Sequence, residues 1–182
     1  MRLPLFRRES RSADTISTLY GAIVAQARSP CFYRDYAVAD TVNGRFDLIV
    51  LHLTLVLERF SADSALKHTG QGLFDRFWQD MDDNLREIGV GDLSVPKKMR
   101  ALGKTFYGRA KAYRAALASG DEGELAAAFS RNIYGGGQPH AARRLVTYAR
   151  RAAGDLMAQQ TSRLAAGIVR FPDPAAVPRA TE

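Results

Sequence analysis

Residues 80–113, DMDDNLREIGVGDLSVPKKMRALGKTFYGRAKAY, join an acidic amphipathic segment to a basic one through a glycine-rich corner. At about 100° per residue, Leu73, Phe74, Phe77, Trp78, Met81, Leu85 and Ile88 share one side of a helix and the acids take the other. Gly89 stands where a left-handed residue would close that helix. Ser94 is placed to cap the next one, with Pro96 in its first turn. On the second helix Met99, Leu102, Phe106, Ala110, Tyr113 and Leu117 form a narrow apolar stripe, while Lys97, Arg100, Lys104, Lys111 and Arg114 gather opposite it with Tyr107 among them. Two amphipathic helices around a tight corner predict an all-α packing unit.

The charge changes sign at that corner. Residues 75–92 hold six acids and two arginines, and residues 97–114 hold seven bases and no acid. Opposed fields side by side, with no catalytic residues between them, fit the holding of a partner better than turnover of a substrate. The expected partner surface is Asp80, Asp83, Glu87, Asp92, Lys97, Lys98, Arg100, Lys104, Tyr107, Arg109 and Lys111. The aromatic pair Phe32-Tyr33 is a second candidate, with core packing as its alternative. The bases also admit two readings, a phosphate-facing surface with Tyr107 for stacking or the ordinary solvated face of a half-buried helix.

Outward from the corner the helical period continues. Ile16, Leu19, Tyr20, Ile23, Val24 and Ala27 lie on one face, with Asp14 placed to cap it, and Ser29-Pro30 ends that helix and opens a short one carrying Phe32 and Tyr33. Asn43-Gly44 reads as a turn, and residues 46–60, apolar on most of their circumference, as the central helix. Gly70 and Gly72 read as a break before residue 73. A shorter helix is expected over 121–133, then a joint at Gly135-Gly136-Gly137, then one long helix over 139–168. The whole is a single-domain all-α bundle of six to seven helices ending in a long helix. Residues 1–13 are expected as a loose basic start, 14–168 as the helical domain and 169–182 as a proline-rich loose tail.

Composition narrows the chemistry. At 182 residues the chain suits one domain, and its net charge of +7 favours anionic partners such as RNA, lipid headgroups or acidic loops. Cys31 is the sole cysteine, so an intrachain disulfide is impossible and a reducing compartment is expected. None of His52, His68 and His140 has a Glu three residues before it, as a helical di-iron site would require. Neither glycine cluster has the spacing of a phosphate loop. No catalytic residue, metal or cofactor is expected, and His52 is expected as a hydrogen-bonded core residue. No apolar run reaches the roughly 18 residues of a membrane span. The start, MRLPLFRRESR, lacks the apolar run of a secretory signal; it reads as a disordered end, a targeting remnant or a membrane-surface contact.

The order of short motifs carries a resemblance. Leu19-Tyr20-Gly21, Ala25-Gln26-Ala27-Arg28-Ser29-Pro30, Phe32-Tyr33, Asp40-Thr41, Gly44-Arg45-Phe46 and Leu51-His52 come first. Asp80-Met81-Asp82, Leu85-Arg86-Glu87, Gly89-Val90-Gly91-Asp92-Leu93, Val95-Pro96-Lys97-Lys98-Met99 and Tyr107-Gly108-Arg109 follow. Over about residues 15–134 the chain resembles the ubiquinol–cytochrome c reductase chaperone family. The resemblance implies a non-enzymatic, all-helical assembly factor for the cytochrome bc1 complex that holds newly made cytochrome b until haem loading and subunit assembly. It implies a bacterial-type member, for want of a long leading extension, in the cytoplasm or peripheral on the inner face of the cytoplasmic membrane. Further partners implied are a small assembly protein, the ribosome and an anionic membrane surface, and no DNA. The alternative class is a basic helical RNA or ribosome binder without client holding, whose binding would fall steeply with salt.

Overall fold

The computed structural model describes residues 4–178, with side chains from residue 12 onward. Eight α-helices follow in chain order: α1 (Pro4–Ala27), α2 (Pro30–Asp35), α3 (Val42–Ser61), α4 (Lys67–Glu87), α5 (Val95–Ser119), α6 (Glu122–Ile133), α7 (Pro139–Ala158) and α8 (Thr161–Ala165). Short 3-10 turns lie at Ser64–Leu66 and Pro174–Ala176. Six of the helices are long, and no strand occurs among the described residues.

α3 is the axis of the bundle because its middle is apolar on nearly every side. All nine residues from Leu48 to Val56 are buried, and α3 packs against α1, α4, α5, α6 and α7. Each fully buried Leu, Ile or Val there contributes about 1.5–3 kcal/mol relative to exposure. The two polar residues in the run are satisfied: Thr54 Oγ1 donates to Val50 O at 2.7 Å, and the His52 ring nitrogens meet Leu48 O at 2.7 Å and Tyr148 Oη at 2.8 Å. Burial pushes the His52 pKa down to about 4, so the ring is neutral in the fold. His52 is thus the core histidine that its apolar neighbours foretold.

Several boundaries fall elsewhere than the sequence indicated. α3 begins at Val42 because Thr41 Oγ1 accepts from the Gly44 amide at 3.1 Å, which puts Asn43 and Gly44 inside the helix. Gly44 is needed there for room, since a Cβ would run into the carbonyl oxygen of Ala39. α4 likewise passes through Gly70 and Gly72, which are sites of close approach: a Cβ on Gly70 would sit 3.3 Å from Phe60 Cβ, and one on Gly72 would meet Ile16 Cδ1. α1 starts at Pro4, so Asp14 lies within a helix and caps nothing, and residues 4–13 of the expected loose start belong to α1. Residues 1–3 lie outside the described part. The expected long last helix breaks at Gln159 and Gln160, which are extended, and resumes as α8.

The largest correction concerns the tail. Residues 169–178 lie on the core as a strap, with Pro172, Pro174 and Val177 buried. Prolines bring carbonyls without amides, and three core side chains supply the missing donors. Gln26 Nε2 donates to Pro172 O at 3.1 Å, Tyr36 Oη to Pro174 O at 2.8 Å and Arg144 Nη2 to Val177 O at 3.3 Å. Arg144 also donates to Asp35 O at 2.6 Å and stacks its guanidinium 4.2 Å from the Tyr36 ring centre. Phe171 meets the His52 ring edge-on at 5.3 Å. Residues 179–182 lie outside the described part.

Candidate functional site

The corner between α4 and α5 is built as its glycine pattern predicts. Gly89 takes φ +83°, its amide donates to Arg86 O at 3.0 Å, and the Val90 amide donates to Leu85 O at 3.0 Å, the paired bonds of a Schellman closure. Ser94 precedes α5 but its side chain makes no capping bond; Val95 beside it is buried and anchors the turn. The corner is thereby fixed while its apolar side chains are left out: Leu93 is 98 % exposed and Ile88 71 %. Ile88, at the end of the stripe read as core, has no element above it to pack on.

Beside this corner an open apolar groove of about 290 Å³ runs between the end of α1, the start of α3, the second half of α4 and the first turns of α5. Its walls are Val42, Phe46, Ile49, Met81, Leu85, Ile88 and Leu102. Arg28, Arg45, Asp80 and Asn84 stand on its rim. Val42 is 81 % exposed, so one wall of the groove ends in an uncovered side chain. Arg45 is held by Asp40 at 2.7 Å, and Asp80 accepts from Tyr20 Oη at 2.8 Å. Burial, aided by Asp80, raises the Tyr20 pKa and keeps that hydroxyl a donor. Apolar walls with a rim of tethered charges can adsorb an apolar segment and orient its polar flanks.

The sequence-proposed residues separate into three groups. Of the acids, Asp80 lines the groove, and Asp80 and Asp92 are ion-paired: Arg86 bridges Asp82 and Asp92 at 2.6 Å each, Arg76 lies 3.7 Å from Asp80, and Asp83 accepts from Gln79 Nε2 at 2.9 Å. Glu87 is exposed. Lys97, Lys98, Arg100, Lys104 and Lys111 are exposed and enter no ion pair among the described residues, whereas Arg114 is paired to Glu58 at 2.5 Å. Tyr107 is 60 % exposed and leans on Phe106 and Phe74, its ring centre 5.5 Å and 6.2 Å from theirs.

Arg109 and Phe32 are structural. Arg109 turns inward to pair with Asp47, which is 4 % exposed, and donates to Asn132 O at 3.0 Å. Burial raises the Asp47 pKa to about 6 against the opposing pull of Arg109. Phe32 is fully buried among Tyr36, His52 and Tyr148, and half-buried Tyr33 donates its hydroxyl to Ala27 O at 2.8 Å. Cys31 is buried, and desolvation followed by Asp35 raises its pKa, away from thiolate character. Sequence reasoning missed Val42, Ile88 and Leu93 as surface. Leu93, between Asp92 and Ser94 in a corner with no helical neighbour to share a stripe, carried the one available signal.

A family model described as Ubiquinol-cytochrome C chaperone matches residues 34–171. The chain is 26 % identical over 103 residues to ubiquinol-cytochrome-c reductase complex assembly factor 1 of Xenopus laevis. That match takes in 56 % of this chain and 51 % of the relative, so the chain spans about half the length of the curated relative it matches. The crystal structure of the Cbp3 homolog from Brucella abortus is similar to it with a TM-score of 0.86 and 40 % sequence identity, over 98 % of this chain and 100 % of that one. No helix among the described residues is long and apolar enough to cross a membrane.

Proposed function

The chain belongs to the ubiquinol-cytochrome C chaperone family, and from that premise we propose that it is an assembly chaperone of the cytochrome bc1 complex whose client is newly synthesised cytochrome b. It holds the client at the corner between α4 and α5 until haem loading and the arrival of further subunits, and it makes and breaks no covalent bond. The observation that carries this reading is the groove with Val42 and Ile88 uncovered in its walls and Leu93 bare on the adjoining corner. An unfinished membrane subunit presents apolar helices joined by charged loops, and covering part of such a surface lowers the concentration of aggregation-prone species. A holder must also let go. An open groove with a polar rim gives a moderate interface, because the cost of immobilising side chains and desolvating the rim offsets part of the apolar gain.

The test is cross-linked capture from detergent-solubilised membranes of cells deleted for later bc1 subunits. Wild-type protein should enrich cytochrome b, and Ile88→Asp with Leu93→Asp should abolish the enrichment without moving the thermal midpoint, since both side chains stand in water already. Undiminished capture by the double variant would reject the groove as the client surface. Enrichment of RNA without cytochrome b would reject the chaperone reading and favour the basic RNA-binding class.

A further inference from the structure

We propose that the outward face of α5 docks an anionic phospholipid surface. Lys97, Arg100, Lys104, Tyr107, Lys111 and Arg114 recur at three- and four-residue intervals, so at 3.6 residues per turn they share an arc of about 100°. All six are exposed. From Arg100 to Lys111 the stripe is roughly 16 Å long at 1.5 Å per residue. The nearest acid paired to it is Glu58, which engages Arg114 at the far end and leaves the four other bases without a counter-charge among the described residues.

The middle of the stripe is amphiphilic. Tyr107 stands among the bases and helps line a hollow of about 460 Å³ whose apolar lining is Leu57, Phe60, Phe74 and Phe106, with Lys67 also in its wall. A tyrosine with an apolar flank and a wet hydroxyl is the side chain that settles at the headgroup level of a bilayer. The lysines can lay their stems along an apolar boundary and keep the ammonium groups at the phosphates. Three of the four unpaired bases are lysines, which act as point charges and lack the planar fork that suits paired phosphate oxygens of a nucleic acid. Tyr107 is the one exposed aromatic ring on the face, too few for a run of stacked bases. A charged sheet of headgroups over an apolar interior matches the stripe and the hollow together; RNA matches only the stripe.

This inference is independent of client holding, because its readout needs only purified protein and lipid. The full chain is sedimented with phosphatidylcholine vesicles with and without phosphatidylglycerol, across a salt series. Binding should require phosphatidylglycerol and weaken as salt screens the charges. Neutralising juxtamembrane bases costs about fivefold in partition per charge, so Lys104→Gln with Lys111→Gln should lower binding roughly 25-fold. Tyr107→Ala should lower it severalfold with the loss persisting at high salt, the mark of an apolar contribution. Circular dichroism of each variant checks that the helices are intact. Vesicle binding by the double variant equal to wild type would overturn the proposal, as would binding of RNA through Lys104 and Lys111 by a protein that ignores both kinds of vesicle.

Discussion

Replacing Arg109 by Met should destabilise the protein by an amount that depends on pH, and the size of that dependence follows from the burial of Asp47. The carboxylate is 4 % exposed, and its Oδ1 has no hydrogen-bond partner among the described residues beyond the facing guanidinium. Stranding a buried charge of this kind costs about 3–5 kcal/mol. The carboxyl escapes that cost by taking a proton, and its folded pKa of about 6 already lies above the ordinary carboxylate range. A raised folded pKa means that the native state holds the proton more tightly than the unfolded chain. Its contribution is therefore greatest below the unfolded pKa and is lost as pH rises through about 6. In Arg109→Met the attraction that opposed this rise is gone, so the loss extends to higher pH. At pH 5 the variant should forfeit little more than the bond to Asn132 O, about 1 kcal/mol. At pH 8 the full cost of a few kcal/mol should appear. Urea titrations of both proteins at the two pH values, followed by circular dichroism, measure the gap. Adding Asp47→Asn to the variant should close most of it at pH 8. A gap that is the same at both pH values and below about 1 kcal/mol would refute the reasoning.

Three further expectations follow from the core and its closures. Because His52 is held neutral with a pKa near 4, below its ordinary value, its own contribution to wild-type stability should fall by about 3 kcal/mol as pH drops from about 6.5 toward 4, against the gain that Asp47 brings over the same range. His52→Gln should lack that component in the same urea titrations, and equal slopes in the two proteins would contradict it. Tyr36→Phe removes the donor to Pro174 O and should cost about 1 kcal/mol. It should also speed amide exchange within residues 169–178, and unchanged exchange there would mean that this bond does not fasten the strap. Gly44→Ala drives a Cβ into a backbone oxygen and should cost on the order of 1–3 kcal/mol, whereas Gly72→Ala meets the rotatable tip of Ile16 and should cost less. Equal shifts in thermal midpoint would show that the backbone at Ala39 yields as readily as a methyl group.

The all-α class, the central position of α3, the Gly89 closure and the short helix over 121–133 were legible because each rests on a local signal. Asp121 accepts from the Gly123 and Glu124 amides, as a residue of its type at a helix start should. What the sequence hid was long-range. Gly44, Gly70 and Gly72 look like punctuation in one dimension and prove to be clearances for Ala39, Phe60 and Ile16. Arg109 falls beside the apolar stripe, about 20° from Leu102 at roughly 100° per residue, but its partner Asp47 lies 62 positions earlier and no local signal names it. Proline density argued for a loose tail because the donors that hold it, Gln26 on α1, Tyr36 just past α2 and Arg144 on α7, are scattered along the chain. The basic stripe was visible by spacing alone; the groove beside the corner was not, since its walls come from α3, α4 and α5 and read individually as core.

The strap has a consequence for how the molecule comes into being. Residues 169–178 are translated after all eight helices, yet they lie against Tyr36 and His52 in the aromatic cluster. A ribosome that has made everything through α8 carries a bundle with one side still wet. Maturation thus waits on a ten-residue stretch emerging from the exit tunnel, and a stall anywhere before it would yield a half-sealed intermediate, itself a candidate for rescue or proteolysis.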